Sequence, residues 1–296
     1  MRDGLWLETG KTASKRAAMK LTKHQVIQRV RQLPGGPLWA FGIRQAWAAL
    51  FGGLMLAGII LTGYVELPWL PRYDWLFIYA IGIQLFMLLT KLEKPHEVLT
   101  IFLFHLVGLG MELFKTSASI GSWSYPGDAF FRIGNVPLFS GFMYAAVGSY
   151  IARAWRVLDL SFQPYPRRRW TLLLAVAIYV NFFTHHYIYD IRYMLFLAIL
   201  ILYGRTWVSY SINTKVRRMP LVVGFFLIAL FIWLAENIGT YTNVWLYPNQ
   251  TVHWHMVGFH KIGSWLLLMV ISFIMIDLLY YIRGTRSQKI EVRRLI

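Results

Sequence analysis

Eight long, nearly uncharged apolar stretches divide this chain, running approximately over Ala46–Tyr64, Trp75–Thr90, Val98–Phe114, Pro137–Ala152, Thr171–His185, Tyr193–Gly204, Met219–Ala235 and Gly263–Ile282. A helix needs roughly 20 apolar residues to cross the hydrocarbon of a bilayer, and somewhat fewer where polar flanks snorkel. Stretches this numerous cannot all be packed inside one small water-soluble domain. The expected fold is therefore all-α, a polytopic membrane helical bundle of about eight transmembrane helices. Composition agrees: 57% of the 296 residues are hydrophobic and 15% charged, with 13 Trp, 17 Tyr and 20 Phe to face lipid and interface.

A formal charge of +17 would suggest nucleic acid in a soluble protein, but here the charge sorts by loop. Of the 30 Lys and Arg, 25 fall in alternate segments, namely the N-terminal arm, the second, fourth and sixth loops and the C-terminal tail. Positive charge marks the cytoplasmic side of a membrane protein, so both termini are assigned to the cytoplasm and nucleic acid is not an expected partner. The reading divides the chain into a basic cytosolic arm (1–43), one transmembrane domain (44–283) and a basic cytosolic tail (284–296). Between Lys11 and Leu33 the arm sets Leu21, Ile27, Val30 and Leu33 at roughly helical spacing with no acidic residue. Such a segment either lies on the anionic headgroups of the cytosolic leaflet or serves as a tether that sets topology. Pro34-Gly35-Gly36-Pro37 then breaks any helix, and no continuous apolar region in the arm suggests a cleaved signal peptide. With no cysteine, disulfides and thiolate metal sites are excluded.

One string repeats. Trp123-Ser124-Tyr125-Pro126 is echoed by Trp245-Leu246-Tyr247-Pro248, although composition alone predicts about 0.03 such strings. Each copy follows an acidic residue at the end of an apolar stretch, Glu112 before the first and Glu236 before the second. The offset spans four helices, which preserves orientation, so a duplication would be a parallel 4+4 internal repeat about an axis along the membrane normal. The alternative is that both loops use the ordinary aromatic composition of a membrane interface.

Most unusual polar residues fall on the inferred outer side. Glu112 and Glu236 stand out because an ionisable group at the hydrocarbon boundary must be paired, hydrated or protonated. His186 and Asp190 share a face at helical spacing, and together with the two glutamates they form a candidate catalytic acid–base group. His105, two turns before Glu112, extends the line of protonatable groups. Trp123, Tyr125, Asn135, His185, Asn237, Trp245 and Tyr247 are candidate binding residues of an outer-face cavity. His253, His255 and His260 are weak metal candidates, with neither a His-Glu-x-x-His pattern nor cysteine to support them, so no metal is assigned. No Walker-type loop or Gly-x-Ser-x-Gly elbow occurs, and no cofactor is identified. Asp277 is read as structural, and Gly52-Gly53, Gly58, Gly108 and Gly110 as points of close helix contact.

Gly121-Ser122-Trp123-Ser124-Tyr125-Pro126, the run Asn135-Val136-Pro137-Leu138-Phe139-Ser140-Gly141-Phe142-Met143-Tyr144, and Glu236-Asn237-Ile238-Gly239-Thr240 before the second Trp-x-Tyr-Pro resemble a bacterial integral-membrane family catalogued as domain of unknown function 817. The resemblance covers about Gly42 to Tyr281. It implies a multi-pass protein of the bacterial plasma (inner) membrane and brings no established activity. An acidic helix end followed by an aromatic loop and Val-Pro is also loosely similar to membrane enzymes that modify carotenoids, without transferable residues. Three functions remain open: an enzyme using Glu/His acid–base chemistry on a lipid or isoprenoid, which is favoured; a proton-coupled secondary transporter; and a sensory or scaffold protein.

The absence of cysteine makes the topology directly testable. In otherwise unmodified protein, Asn135→Cys and His253→Cys should react with a membrane-impermeant maleimide in intact cells, whereas Arg217→Cys should react only after lysis. The reverse pattern would overturn the orientation.

Overall fold

In a computed structural model, residues 36–65, 68–212 and 215–283 are described. The expected amphipathic stretch Lys11–Leu33, the Pro34-Gly35 half of the break and the tail 284–296 lie outside the described residues.

The chain is mostly helical. The first apolar stretch becomes two helices, α1 (Gly36–Ala48) and α2 (Leu50–Tyr64), meeting at Ala49 with a bend of 72°. Pro37 occupies the first turn of α1, where its missing N–H costs nothing. Turned across α2, α1 exposes Leu38, Trp39, Ile43 and Trp47, the residue types that settle at a membrane interface. There follow α3 (Arg72–Leu89), α4 (Pro95–Lys115), α5 (Ser140–Val157), α6 (Arg168–Thr184), α7 (Arg192–Tyr203), α8 (Leu221–Tyr241) and α9 (His260–Ile282).

Among the described residues, four helices (α3, α4, α8 and α9) are individually long and apolar enough to cross a membrane, and the bent α1–α2 pair raises this to five. This is fewer than the eight expected. The sixth apolar stretch yields only the 12 residues of α7, and α5 carries Arg153 and Arg156 in its last turns. Broad apolar flanks on the spanning helices remain exposed, including Leu85, Phe86, Phe102, Leu106, Phe231 and Leu234, as lipid contact requires.

Strands also form where only helices and loops were expected. Arg132–Ile133 (β1) pairs with Val136–Pro137 (β2) across a Gly134 turn, and Ser161–Gln163 (β3), Trp207–Ile212 (β4) and Lys215–Pro220 (β5) make an antiparallel three-stranded sheet. The physical reason lies in Trp207-Val208-Ser209-Tyr210-Ser211-Ile212, rich in aromatic and β-branched residues with the period of two that a strand needs.

Two ends of the bundle differ in chemistry. At the end bearing the α1–α2 junction, Arg153 is buried and its guanidinium donates to the carbonyls of Ala48 (3.2 Å), Leu92 (3.0 Å) and Trp47 (2.6 Å). Beside it the buried Glu93 accepts from Gln84 (2.7 Å) and Ser149 (2.5 Å), while Glu97 pairs with Arg156 at 3.2 Å. Asp277 is buried here against the Tyr165 hydroxyl (2.9 Å) and Arg168 (3.5 Å), which is the structural role read from the sequence. We call this the basic end. The opposite, aromatic end collects both Trp-x-Tyr-Pro loops.

Glycine sets the closest approaches. A Cβ on Gly58 or Gly108 would lie 2.5 Å from the ring of Tyr79 or Tyr144, and one on Gly239 would meet the Trp245 indole, whereas Gly53 and Gly110 have nothing within 4 Å. Gly239→Ala should therefore lower stability by about 1–3 kcal/mol, the usual cost of overpacking, measured as detergent thermal unfolding. Gly53→Ala should leave the transition unmoved; equal effects would refute the packing account.

Candidate functional site

The two echoed strings are bonded to each other. Ser124 and Leu246, the variable residues of the two Trp-x-Tyr-Pro copies, form an antiparallel bridge and exchange both backbone hydrogen bonds, each 2.9 Å. Their loops are fixed from below by three consecutive residues at the start of α3. Arg72 donates to Thr62 (3.1 Å) and to the carbonyls of Ile59 (2.9 Å) and Thr242 (2.5 Å). Tyr73 donates to the Val244 carbonyl (2.8 Å) and accepts from Gly127 N–H (3.2 Å). The buried Asp74 carboxylate accepts the Phe130 and Phe131 N–H groups, both at 2.8 Å. An open pocket of about 430 Å³ lies between these loops, lined by Pro71, Arg72, Tyr73, Pro126, Gly127, Asp128 and Asn243.

Behind the bridge sit the two glutamates, each 2% exposed. Glu112, in the last turn of α4, accepts from Trp123 Nε1 (2.7 Å) and Tyr125 hydroxyl (2.8 Å) on one oxygen and from Tyr144 hydroxyl (2.8 Å) on the other. Glu236, near the end of α8, accepts from the Tyr247 hydroxyl and from Trp265 Nε1 (2.5 Å). Each acid is thus held by the tyrosine of the string that follows it and by an aromatic donor on the next long helix, Tyr144 on α5 or Trp265 on α9. The two groups touch, since Trp123 and Tyr247 meet edge to face with ring centroids 6.3 Å apart. Burial first, and the neighbouring carboxylate second, push the Tyr125 and Tyr247 hydroxyls well above the usual phenol range. Both tyrosines are therefore neutral donors at physiological pH.

A second group adjoins the first. Lys115, one turn beyond Glu112, places its ammonium 2.6 Å from His186 Nε2 and 3.3 Å from His185 Nε2. His186 does not pair with Asp190 as the helical spacing suggested, because α6 stops at Thr184 and the intervening residues turn. Asp190 instead accepts from Asn181 (3.1 Å) and from Arg192 through both its backbone N–H (2.9 Å) and its guanidinium (2.5 Å). Partial burial would raise the Asp190 carboxyl, but these bonds outweigh it and hold the carboxyl below its usual range.

The other candidates scatter. Asn237 is a clamp, donating to the Trp233 carbonyl (2.8 Å) and accepting from Val257 N–H (2.9 Å). Trp245 packs over Gly239, and Asn135 is an exposed residue of the β1–β2 turn. His105 packs on Phe142, ring centroids 4.5 Å apart, and its Nδ1 has no hydrogen-bond partner. His253, His255 and His260 are exposed, and among the described residues no group of three or more His, Cys, Asp or Glu comes together as a metal site. Sequence reasoning left Tyr144 and Trp265 out of the candidate group, although each stands about 30 residues after its glutamate, at offsets of 32 and 29.

Apolar spanning helices and buried, aromatically bonded acids at one end define a polytopic helical membrane protein. The chain belongs to the family described as "Protein of unknown function (DUF817)", whose model matches residues 37–273. It is 45% identical over 252 residues to "Uncharacterized protein YoaT" of Bacillus subtilis, covering 85% of this chain and 95% of that one. Among solved structures, it is similar to the Insig homolog MvINS of Mycobacterium vanbaalenii at 15% identity and a TM-score of 0.44, covering 63% of this chain and 95% of that one. A cross-linked trimer of MvINS matches at 14% identity with the same TM-score of 0.44.

The imidazoles make a pH prediction. Partial desolvation of an otherwise exposed ring, then the Lys115 charge and His185, push His186 down to about 4, and His185 is lowered mainly by burial. Between the unfolded value near 6.5 and that folded value, the unfolded chain binds more protons. Stability is then full above about pH 6.5 and falls as pH drops toward 4. Thermal unfolding in detergent should show this slope, and His186→Gln should flatten it; an unchanged slope would refute the assignment.

Proposed function

We propose that the chain crosses the bacterial plasma membrane eight times with both termini in the cytoplasm, and that its aromatic end faces outward as the working end of a membrane-embedded acid–base enzyme. Helix direction supports the eight passes: α2, α4, α6 and α8 end at the aromatic end, and α3, α5, α7 and α9 begin there. In this arrangement the basic end meets anionic headgroups of the inner leaflet.

One observation carries the enzymatic reading. Glu112 and Glu236 are two carboxylates buried at the same end of the bundle, linked through the Trp123–Tyr247 ring contact and each bonded to tyrosine rather than to a cation. A Lys or Arg partner would fix a carboxylate in its ionised form, whereas a tyrosine hydroxyl serves the ionised acid as donor and the neutral acid as acceptor. Such a group can give and take a proton without leaving a polar atom stranded, which is the requirement on a general acid or base. A lipid or isoprenoid entering laterally between the helices would displace a hydroxyl and meet the carboxyl. His185 and His186, neutral at physiological pH, supply proton acceptors one helical turn away.

Glu112→Gln and Glu236→Gln should each reduce turnover about 100-fold or more, read as a changed lipid and isoprenoid profile in membranes where the variant accumulates to the parental level. A profile identical to the parent's would overturn the reading. The mutual bridge of Ser124 and Leu246 supports a parallel repeat and with it a transporter. Proton-driven uptake into proteoliposomes, lost in the same two variants, would establish that alternative instead.

A further inference from the structure

We infer that Lys115, Lys261 and Arg192, with His185 and His186 positioning the Lys115 ammonium, form a binding site for a phosphate-type oxyanion, carried by a lipid headgroup or free in solution. It shares His185 and His186 with the acid–base reading but requires no proton transfer by Glu112 or Glu236, so the two readings fail separately.

The starting point is a buried cation without a counter-ion. Lys115 is 4% exposed, and among the described residues no carboxylate lies within 4 Å of its ammonium. Asp190 is spent on Arg192 and Asn181. The contacts Lys115 does make are neutral: two imidazole nitrogens and the face of Phe182, 4.3 Å from the ring centroid. The tautomer of His185 follows from its other nitrogen. Nδ1 lies 2.8 Å from the Asn181 carbonyl and must carry the proton there, so Nε2 is an acceptor turned toward Lys115. Removing a charge from water is offset only by an opposite charge or strong dipoles close by, and neutral imidazoles leave the charge itself uncancelled.

Two more cations face the same place from other elements. Arg192 begins α7, and Lys261, in the first turn of α9, stands 4.0 Å over the Tyr247 ring. Both lie within electrostatic range of Lys115, as does the Asp190 carboxylate that Arg192 pairs with, which leaves the group net positive. Cations approaching from three separate helices suit a compact tetrahedral anion better than a planar carboxylate, which a single Arg fork would hold. The site opens outward, since His186 and Asp190 are exposed above the buried lysine. Its rim is apolar: Tyr187, Ile188, Tyr189, Tyr193 and Met194 are all at least 64% exposed. An anion beside an apolar shelf is the chemistry of an anionic phospholipid.

The test uses the full chain, purified in neutral detergent and placed in nanodiscs of phosphatidylcholine, with or without phosphatidylglycerol, or with inorganic phosphate. Thermal unfolding and native mass spectrometry are the readouts. Phosphatidylglycerol should raise the melting temperature and remain bound to the parent, and Lys115→Gln should weaken retention at least about tenfold. Lys115→Arg should retain it, and so should Glu112→Gln. If inorganic phosphate alone stabilises the parent and not Lys115→Gln, the source is the free anion. In neutral detergent without added lipid or phosphate, Lys115→Gln should be as stable as the parent or more so, because it removes an uncompensated charge; a merely structural lysine would give the opposite sign. If neither phosphatidylglycerol nor phosphate distinguishes the parent from Lys115→Gln, the site is refuted. Should Lys115→Gln fail to accumulate, Lys261→Gln and His186→Gln must each weaken retention, and unchanged retention in both would refute it equally.

Discussion

An acid at the edge of hydrocarbon needs donors, and in this chain three of the five come from the loops that follow the acids and two from the next long helices. Glu112 and Glu236 lie at the ends of otherwise apolar helices where water is scarce, so their oxygens are satisfied by Trp and Tyr side chains supplied from the segments that follow. That demand fixes where each loop must run. Once both loops curl back over their acids, their variable residues face one another and complete the bridge between Ser124 and Leu246. The clamp from Arg72, Tyr73 and Asp74 then joins α3 to both. The cross-bonding of the aromatic end thus follows from burying two carboxylates there.

The basic end meets a similar demand by different means. Arg153 is among the most buried side chains in the molecule, yet it spends its donors on the carbonyls that helix ends leave open, at Trp47, Ala48 and Leu92. Glu97 and Asp277 receive Arg partners, and Glu93 receives neutral ones from Gln84 and Ser149. The buried carboxylates at this end are closed within the protein. At the aromatic end Glu112 and Glu236 have aromatic donors, and Lys115 has imidazoles. The two ends therefore differ in how their buried charges are cancelled.

What the sequence disclosed was whatever depended on composition or on an improbable string. The apolar stretches disclosed a membrane bundle, and the repeated Trp-x-Tyr-Pro singled out Glu112, Trp123, Tyr125, Glu236 and Tyr247, all of which the structure brings together. Features set by three-dimensional proximity were not visible. Tyr144 and Trp265 reach their acids from helices about 30 residues away, and no local pattern marks them. Asp74 caps backbone 56 residues downstream. The proposed pairing of His186 with Asp190 assumed a helix that ends two residues too early. The β4–β5 hairpin was hidden for another reason: its basic residues drew attention to charge, while the alternation in Trp207–Ile212 was present to be read.

The hydrogen-bond inventory also favours one oxygen of each acid as the site of a proton. An indole N–H can only donate, so an oxygen facing Trp must keep a lone pair for it and is the poorer site for a proton. On Glu236, Trp265 occupies Oε2, which leaves Oε1, bonded to Tyr247, as the better site for a proton. On Glu112, Trp123 and Tyr125 share Oε2, which leaves Oε1, bonded to Tyr144 alone. In both halves protonation there must reverse a single tyrosine bond, turning the hydroxyl from donor to acceptor and freeing its own proton for a new partner. For Tyr247 that partner would be sought beside Trp123 and Lys261, which pack against its ring. A proton arriving on Glu236 is thereby felt at the contact that joins the two acids, while one arriving on Glu112 is felt at the interface between α4 and α5. The two sites are alike in their donors and unlike in what they are connected to, so a change of protonation on one would be felt in a different part of the fold from a change on the other.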